Sequence, residues 1–155
     1  MAGSMEWLLL AYRMPREPST PRIAVWRKLA RLGVAKLGDG LVALPADARS
    51  QERLEWIADE VIEAAGEATL WRSRLTSASA ERALAERMAA AIAAEYRALI
   101  TAATDARTGA PVKRQTVARL RRELRRISQR DYFPQPARDE ARRAVESLAS
   151  GLVAR

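Results

Sequence analysis

The chain opens on a stretch, residues 7–12, that is apolar on both alternating faces. Its sequence is Trp-Leu-Leu-Leu-Ala-Tyr. A strand exposed to water on one face would alternate apolar with polar residues, so this pattern predicts a central strand that is covered on both sides. Pro15 and Pro18 follow, and they end the strand because proline cannot continue a central ladder.

A basic amphipathic helix is predicted next. Ser19 or Thr20 can cap its start, Pro21 suits its first position, and Gly33 suits a left-handed cap at its end. The residues expected to share its apolar face are Ile23, Trp26 and Leu29 or Ala30.

The pattern then predicts a hairpin, a second helix and a fourth strand. Gly38-Asp39-Gly40 separates two short apolar runs, residues 34–37 and 41–44, as in a β-hairpin. Asp47 or Ser50 can cap a helix that runs to about residue 65, and residues 67–72 indicate another strand. The order strand, helix, strand, strand, helix, strand is typical of an α+β, ferredoxin-like βαββαβ antiparallel sheet.

The second half of the chain is predicted to be helical. Apolar residues recur at helical spacing over about 77–106, 112–130 and 137–150, which indicates a C-terminal region of about three helices. We therefore expect a ferredoxin-like domain over residues 6–75 and a helical region over 76–155 that packs on it. Residues 1–5 look like a vector-derived leader and are left out of this fold prediction.

Composition narrows the possible chemistry. The 155 residues include no cysteine and no histidine. Thiol nucleophiles, Cys/His zinc sites and histidine acid–base catalysis are therefore excluded, and no dinucleotide-binding motif is present. We expect no enzyme activity, no cofactor and no metal site. No apolar run is long enough to cross a bilayer and no signal peptide precedes the first strand, so we expect a cytoplasmic protein without membrane contact.

Positive charge is concentrated in the last third of the chain. The formal net charge is +8, and residues 111–155 hold twelve Lys or Arg against five Asp or Glu, a net of +7. Most of this excess lies on the penultimate helix, which carries one acidic residue, Glu123, and whose basic residues are Lys113, Arg114, Arg119, Arg121, Arg122, Arg125, Arg126 and Arg130. Guanidinium groups bind phosphate well because their planar forks donate hydrogen bonds in pairs.

Two interpretations of this helix stay open. It can contact the phosphates of double-stranded DNA, with Arg119, Arg122 and Arg126 on one face as the first candidates. Alternatively it is a solvated helix whose arginines pair with glutamates of the preceding, alanine-rich helix.

A weaker cluster of basic residues surrounds the first turn and the first helix. The free N–H groups and dipole of that helix, together with these side chains, could hold a small oxyanion. The residues concerned are Arg13, Arg16, Arg22, Arg27 and Lys28. An ordinary polar rim is the alternative. Trp26, Trp56 and Trp71 are predicted to be core or interface residues rather than stacking platforms.

Several segments of the sequence resemble a known family. They read EWLLLAYRMP from residue 6, RIAVWRKL from residue 22, GVAKLGDG from residue 33 and EWIADEV from residue 55, and DYFP ends the arginine-rich segment. Together they resemble the N-terminal region of ChrB-type chromate resistance proteins. The first half is also similar to the ferredoxin-like portion of PaaX-type repressors.

The resemblance implies a cytoplasmic regulatory protein of chromate resistance. It suggests a DNA-binding transcriptional regulator that acts at the promoter region of a chromate efflux operon. The alternative is a protein that binds the chromate oxyanion directly, or an accessory protein that does not bind DNA. We also expect a homodimer, because the doubly apolar first strand and the narrow apolar seam of residues 117–127 both need cover.

Overall fold

The chain forms a four-stranded antiparallel sheet. Two helices connect strands of the sheet, and three further helices follow the last strand. The computed structural model describes residues 2–153. In chain order its elements are β1 (Trp7–Arg13), α1 (Ser19–Leu32), β2 (Ala35–Gly38), β3 (Leu41–Pro45), α2 (Ala48–Glu63), β4 (Glu67–Ser73), α3 (Ala78–Thr108), α4 (Arg114–Gln129) and α5 (Pro136–Val153). The strand order is β2-β3-β1-β4. The predicted α+β, ferredoxin-like fold with a C-terminal helical region is confirmed.

β1 is a central strand, as its apolar sequence predicts. It pairs antiparallel with β3 on one side and with β4 on the other. Leu8 lies opposite Leu44, and Leu10 lies opposite Val42, and all four side chains are fully buried. α1 and α2 pack against each other, and α2 contacts β1 and β4. The buried residues that the two helices contribute are Val25, Leu29, Leu32, Leu54, Ile57 and Val61.

The opposite face of β1 is covered less completely. Trp7 is buried, whereas Leu9 and Ala11 are half-buried. Trp71, which lies opposite Leu9 on β4, is 57% exposed. The prediction that β1 is covered on both sides therefore holds fully only at its Trp7 end.

The predicted apolar face of α1 is correct at Leu29 but wrong at Ile23 and Trp26. Val25, Leu29 and Leu32 are buried, whereas Ile23 and Trp26 are 45% and 41% exposed. Residues 23 and 26 lie on a different side of a helix from residues 25, 29 and 32, and only one of these two apolar stripes can face the sheet.

The three tryptophans expected in a core or an interface do not lie in the core of this chain. Besides Trp26, Trp56 is 68% and Trp71 is 57% exposed. On α2 the buried residues Leu54 and Ile57 face the sheet. Trp56 lies two residues after Leu54 and points to the outer side of the helix.

The signals predicted at the end of α1 and at the start of α2 are confirmed, whereas those predicted at the start of α1 are wrong. Asp47 caps α2 by accepting a hydrogen bond of 2.7 Å from the backbone N–H of Ser50. Gly33 ends α1 in the left-handed conformation, with φ of 77°. The predicted cap of α1 by Ser19 or Thr20 is wrong, because the helix already begins at Ser19 and its N-cap is Pro18, whose ring has no hydrogen-bonding group. For the same reason Pro21, predicted at the first position, is the third residue of the helix.

The chain divides into two compact units, Met1–Leu84 and Ala85–Arg155. The first holds the sheet, α1, α2 and the first turns of α3. The second has its own hydrophobic core, to which α3, α4 and α5 contribute buried residues such as Tyr96, Leu120, Ile127 and Leu148. No helix among residues 2–153 is both long and apolar enough to span a membrane.

A buried carboxylate in the first unit fixes the segment before β1. Glu81, in the first turn of α3, accepts hydrogen bonds of 2.9 Å from the backbone N–H groups of Ser4 and Met5, and one of 3.1 Å from the Trp7 indole. Gly3 in turn donates to the carbonyl of Leu75 at 2.8 Å. Residues 3–5, which were left out of the fold prediction, therefore take part in the fold. These hydrogen bonds, the backbone N–H of Ser4 first among them, lower the pKa of Glu81 below its ordinary value of 4.5.

We expect Glu81→Gln to lower the thermal unfolding midpoint at pH 7, because an amide can accept fewer of these hydrogen bonds than a carboxylate. Since the pKa of Glu81 is lower in the folded state, its contribution is present above about pH 4.5, the ordinary pKa of the group, and is lost as the pH falls through the folded-state pKa. The measurement is the unfolding midpoint of parent and variant between about pH 3 and pH 7. The difference should shrink in acid.

Glu52→Gln is the matched control, since Glu52 is an exposed carboxylate on α2. A Glu81→Gln variant that is as stable as this control at pH 7 would show that the carboxylate does not hold the N-terminal segment.

Candidate functional site

The apolar stripe of α4 fixes which of its side chains face outwards. Val117, Leu120 and Ile127 are at most 3% exposed, and Leu124 packs against the same core. These spacings of three and four residues place the stripe on one side of the helix. Six of the twelve remaining positions of α4 are arginine, and all six of these side chains are exposed on the outside of the second unit.

Most of the predicted DNA-contacting residues are exposed. Arg119, Arg122 and Arg126 follow one another at spacings of three and four, so they share one face. The others with exposed side chains are Lys113, which is the N-cap of α4, and Arg114, Arg121 and Arg125. We call these seven residues the α4 basic surface.

Acidic neighbours neutralise little of the α4 basic surface. Arg121 lies 3.4 Å from the Glu146 carboxylate of α5, and Arg126 lies 3.7 Å from Glu123. Both pairs are exposed to solvent, where such contacts contribute little. Among residues 2–153 the other members, Lys113, Arg114, Arg119, Arg122 and Arg125, form no ion pair. Within the described residues 2–153, the alternative in which these arginines pair with glutamates of the alanine-rich helix applies to Arg130 alone.

Arg130 is held inside the second unit by a bidentate ion pair. Its two terminal nitrogens lie 2.7 and 2.6 Å from the two carboxylate oxygens of Glu95 on α3. Its side chain is 19% exposed, and the hydrogen bonds to Glu95 raise the pKa of Arg130. Since both ends of its fork are occupied, we leave Arg130 out of the α4 basic surface and assign it a structural role.

A buried tyrosine lies beside this ion pair. Tyr96 is fully buried, and its hydroxyl donates a hydrogen bond of 2.9 Å to the carboxylate of Asp131, just past the end of α4. Burial is the main cause that raises the pKa of Tyr96, so the hydroxyl keeps its proton. Glu95 and Tyr96 are neighbours in sequence, so a single turn of α3 makes two contacts with the residues that follow α4. Glu95 binds Arg130, and Tyr96 binds Asp131.

The structure separates the five residues of the predicted oxyanion cluster. Arg13 and Arg22 line one open groove of the first unit. Arg16 and Arg27 are exposed and are not part of its lining. Lys28 is engaged elsewhere, because its ammonium lies 2.8 and 2.6 Å from the two carboxylate oxygens of Glu60 on α2.

Sequence reasoning missed the other residues of this groove. They are Tyr12, Met14, Ile23, Trp26, Lys36, Asp39 and Gly40. The Lys36 ammonium lies 5.6 Å from the centre of the Trp26 ring and 3.5 Å from Asp39. The antiparallel pairing of β1 with β3 could have revealed these residues, because it places the β2–β3 turn beside the end of β1.

We expect Arg130→Ala to lower the free energy of unfolding by about 1–2 kcal/mol, because it removes two charge-assisted hydrogen bonds whose Glu95 end is partly exposed. Arg126→Ala, which removes only the exposed pair with Glu123, should cost less than about 0.5 kcal/mol. Chemical denaturation of both variants checks this. A double-mutant cycle with Glu95→Ala should give a favourable coupling between Arg130 and Glu95, and strict additivity would contradict the structural role of Arg130.

Comparison with known proteins identifies the family. A family model described as "Protein ChrB, N-terminal" matches residues 22–108, which is more than half of the 155 residues. Neither the curated proteins nor the solved structures gave a match. The matched segment runs from α1 to the end of α3 and so includes three of the four strands. The chain belongs to the family of ChrB-type chromate resistance proteins, of which it contains the N-terminal region.

Proposed function

We propose that this ChrB-type chromate resistance protein binds double-stranded DNA through the α4 basic surface. In this proposal it is a transcriptional regulator that acts at the promoter region of a chromate efflux operon. The observation that supports it is the set of exposed guanidinium groups on α4 that form no ion pair within residues 2–153, together with the net charge of +7 in the last third of the chain.

The chemistry of the surface favours phosphate over base edges. Arginines at spacings of three and four present a row of planar donors, and a duplex presents phosphate oxygens at regular intervals along its backbone. Contacts of this kind fix position and affinity without reading sequence. The α4 basic surface therefore accounts for binding to any duplex, and selection of an operator requires further contacts.

The buried stripe makes the surface separable from the fold. Arg119 and Arg122 lie off the stripe of Val117, Leu120 and Ile127, and they form no ion pair among the described residues. Their replacement should change the stability of the chain by less than about 0.5 kcal/mol, as for other surface sites. They are better test positions than Arg126, which has an acidic neighbour.

We expect the double variant Arg119→Ala, Arg122→Ala to bind promoter and random duplex DNA more weakly, and to a similar degree. Each phosphate contact releases about one counterion from the DNA when the protein binds. Loss of the two contacts should therefore reduce the slope of log affinity against log salt by about two units. Fluorescence anisotropy titrations of both duplexes at several salt concentrations measure this.

The matched control is Arg82→Ala, Arg97→Ala, which removes the same charge from two exposed positions of α3. It should keep the parental salt slope. An Arg119, Arg122 variant that binds DNA like the parent, with the same slope, would show that α4 is not the DNA-binding surface. Equal losses in both double variants would show a response to net charge alone.

A second candidate function is direct binding of an inorganic oxyanion by the first unit. One observation favours it: Arg13 and Arg22 line the same groove and neither forms an ion pair within residues 2–153. Two of the five residues first considered therefore remain as candidate ligands in that groove.

The homodimer stays a prediction, but its basis has changed. The seam of residues 117–127 is buried within the chain, as are Trp7, Leu8 and Leu10 of β1. The exposed large apolar side chains that remain include Trp56, Ile62 and Trp71. We expect sedimentation velocity to show a dimer at tens of micromolar, roughly the range in which a standard-sized interface is occupied. A monomer throughout that range would contradict the prediction.

A further inference from the structure

Three segments that are distant in sequence meet at the groove of the first unit. The end of β1 contributes Tyr12 and Arg13, the first turns of α1 contribute Arg22, Ile23 and Trp26, and the β2–β3 hairpin contributes Lys36 and Asp39 as well as Gly40. A hydrogen bond of 2.8 Å from the backbone N–H of Tyr12 to the carbonyl of Gly40 ties two of these segments together.

A glycine allows this close approach. Gly40 has φ of 70°, which side chains rarely permit, and a Cβ at this position would overlap the carbonyl oxygen of Tyr12. Backbone hydrogen bonding therefore fixes the end of β1 beside the β2–β3 hairpin at this groove.

The groove combines an apolar wall with positive charge. Ile23 and Trp26 are 45% and 41% exposed, although large apolar side chains are usually buried. Arg13 and Arg22 line the same groove and form no ion pair within the described part of the chain. The Lys36 ammonium is a third cation at the groove, where it lies 5.6 Å from the centre of the Trp26 ring and 3.5 Å from the Asp39 carboxylate.

Size and lining argue against a small inorganic anion as the fitting occupant. The groove measures about 680 Å³, within the range of pockets that hold organic molecules. An inorganic oxyanion has no apolar part to cover Trp26 and Ile23. A molecule with a flat apolar ring and an anionic group would cover these side chains while it pairs with the guanidinium groups.

We propose that this groove is a binding site for an organic anion built on a flat aromatic ring, of the aromatic carboxylate class. The ring lies against Trp26 and Ile23, and the carboxylate pairs with Arg13 and Arg22. Tyr12 adds a hydroxyl donor at the same wall. Burial, with the nearby Asp39 carboxylate as a lesser cause, raises the pKa of Tyr12, so this hydroxyl stays protonated at neutral pH. The site is independent of DNA binding by α4, and its test contains no DNA.

The test is isothermal titration calorimetry of the full chain with three probes. They are 1-naphthoate, the neutral 1-naphthalenemethanol, which has the same ring system, and inorganic sulfate. We expect 1-naphthoate to bind with a dissociation constant below about 1 mM, and the neutral probe to bind about tenfold more weakly or worse. Sulfate at the same concentration should not displace 1-naphthoate.

Variants locate the site. Arg13→Ala, Arg22→Ala should weaken 1-naphthoate binding by about tenfold or more, whereas the control Arg16→Ala, Arg27→Ala, which removes the same charge just outside the groove, should not. Trp26→Leu should weaken binding, and Trp56→Leu, at another exposed tryptophan, should leave it unchanged. Trp26→Phe, which keeps an aromatic ring, should retain most of the affinity. Circular dichroism of each variant confirms that it is folded.

Three results would overturn the proposal. They are no heat of binding for 1-naphthoate up to about 1 mM, an equal loss of affinity in the Arg13, Arg22 variant and its control, and displacement of 1-naphthoate by an equal concentration of sulfate. The last result would assign the groove to inorganic oxyanions and would support the second candidate function instead.

Discussion

Antiparallel pairing of β1 on both of its edges is the constraint on which the first unit depends. The register with β3 places Leu8 and Leu10 opposite Leu44 and Val42, and this four-residue layer is the centre of the buried face of the sheet. The same register brings the β2–β3 turn to the end of β1, where Tyr12 and Gly40 are hydrogen-bonded. The buried core of the sheet and the groove therefore both depend on the pairing of β1 with β3. A shift of β1 by one residue would turn its buried side chains to the opposite face of the sheet and would disrupt both the core and the groove.

In the second unit the corresponding constraint is burial of one stripe of α4. Val117, Leu120 and Ile127 can be buried together only if the helix keeps one rotation about its axis. That rotation exposes Arg119 and Arg122, while it turns Arg130 towards Glu95. Whether an arginine of this helix is a surface group or a structural one thus depends on its position relative to three apolar side chains.

The fold and the basic helix could be predicted from sequence because both depend on local periodicity and on the order of elements. The side of α1 that is buried could not be predicted, because the helix carries two apolar stripes, one with Trp26 and one with Val25. Which stripe is buried depends on the sheet against which the helix packs. The role of Arg130 was equally inaccessible. Its partner, Glu95, lies on another helix 35 residues away, and helical periodicity carries no information about which acid a given arginine will meet. The groove is lined by three segments, and only the pairing of β1 with β3 shows that they meet.

The tight turn of the hairpin has a consequence for the tolerance of this chain to mutation. Gly38 and Gly40 flank the same aspartate, yet a side chain at position 38 would point into open space, whereas one at position 40 would collide with the backbone of β1. Two glycines that look equivalent in the printed sequence therefore differ in the constraint on them. A substitution at position 38 should have little effect on the sheet. A substitution at position 40 would push the hairpin away from β1, the strand on which the first unit depends.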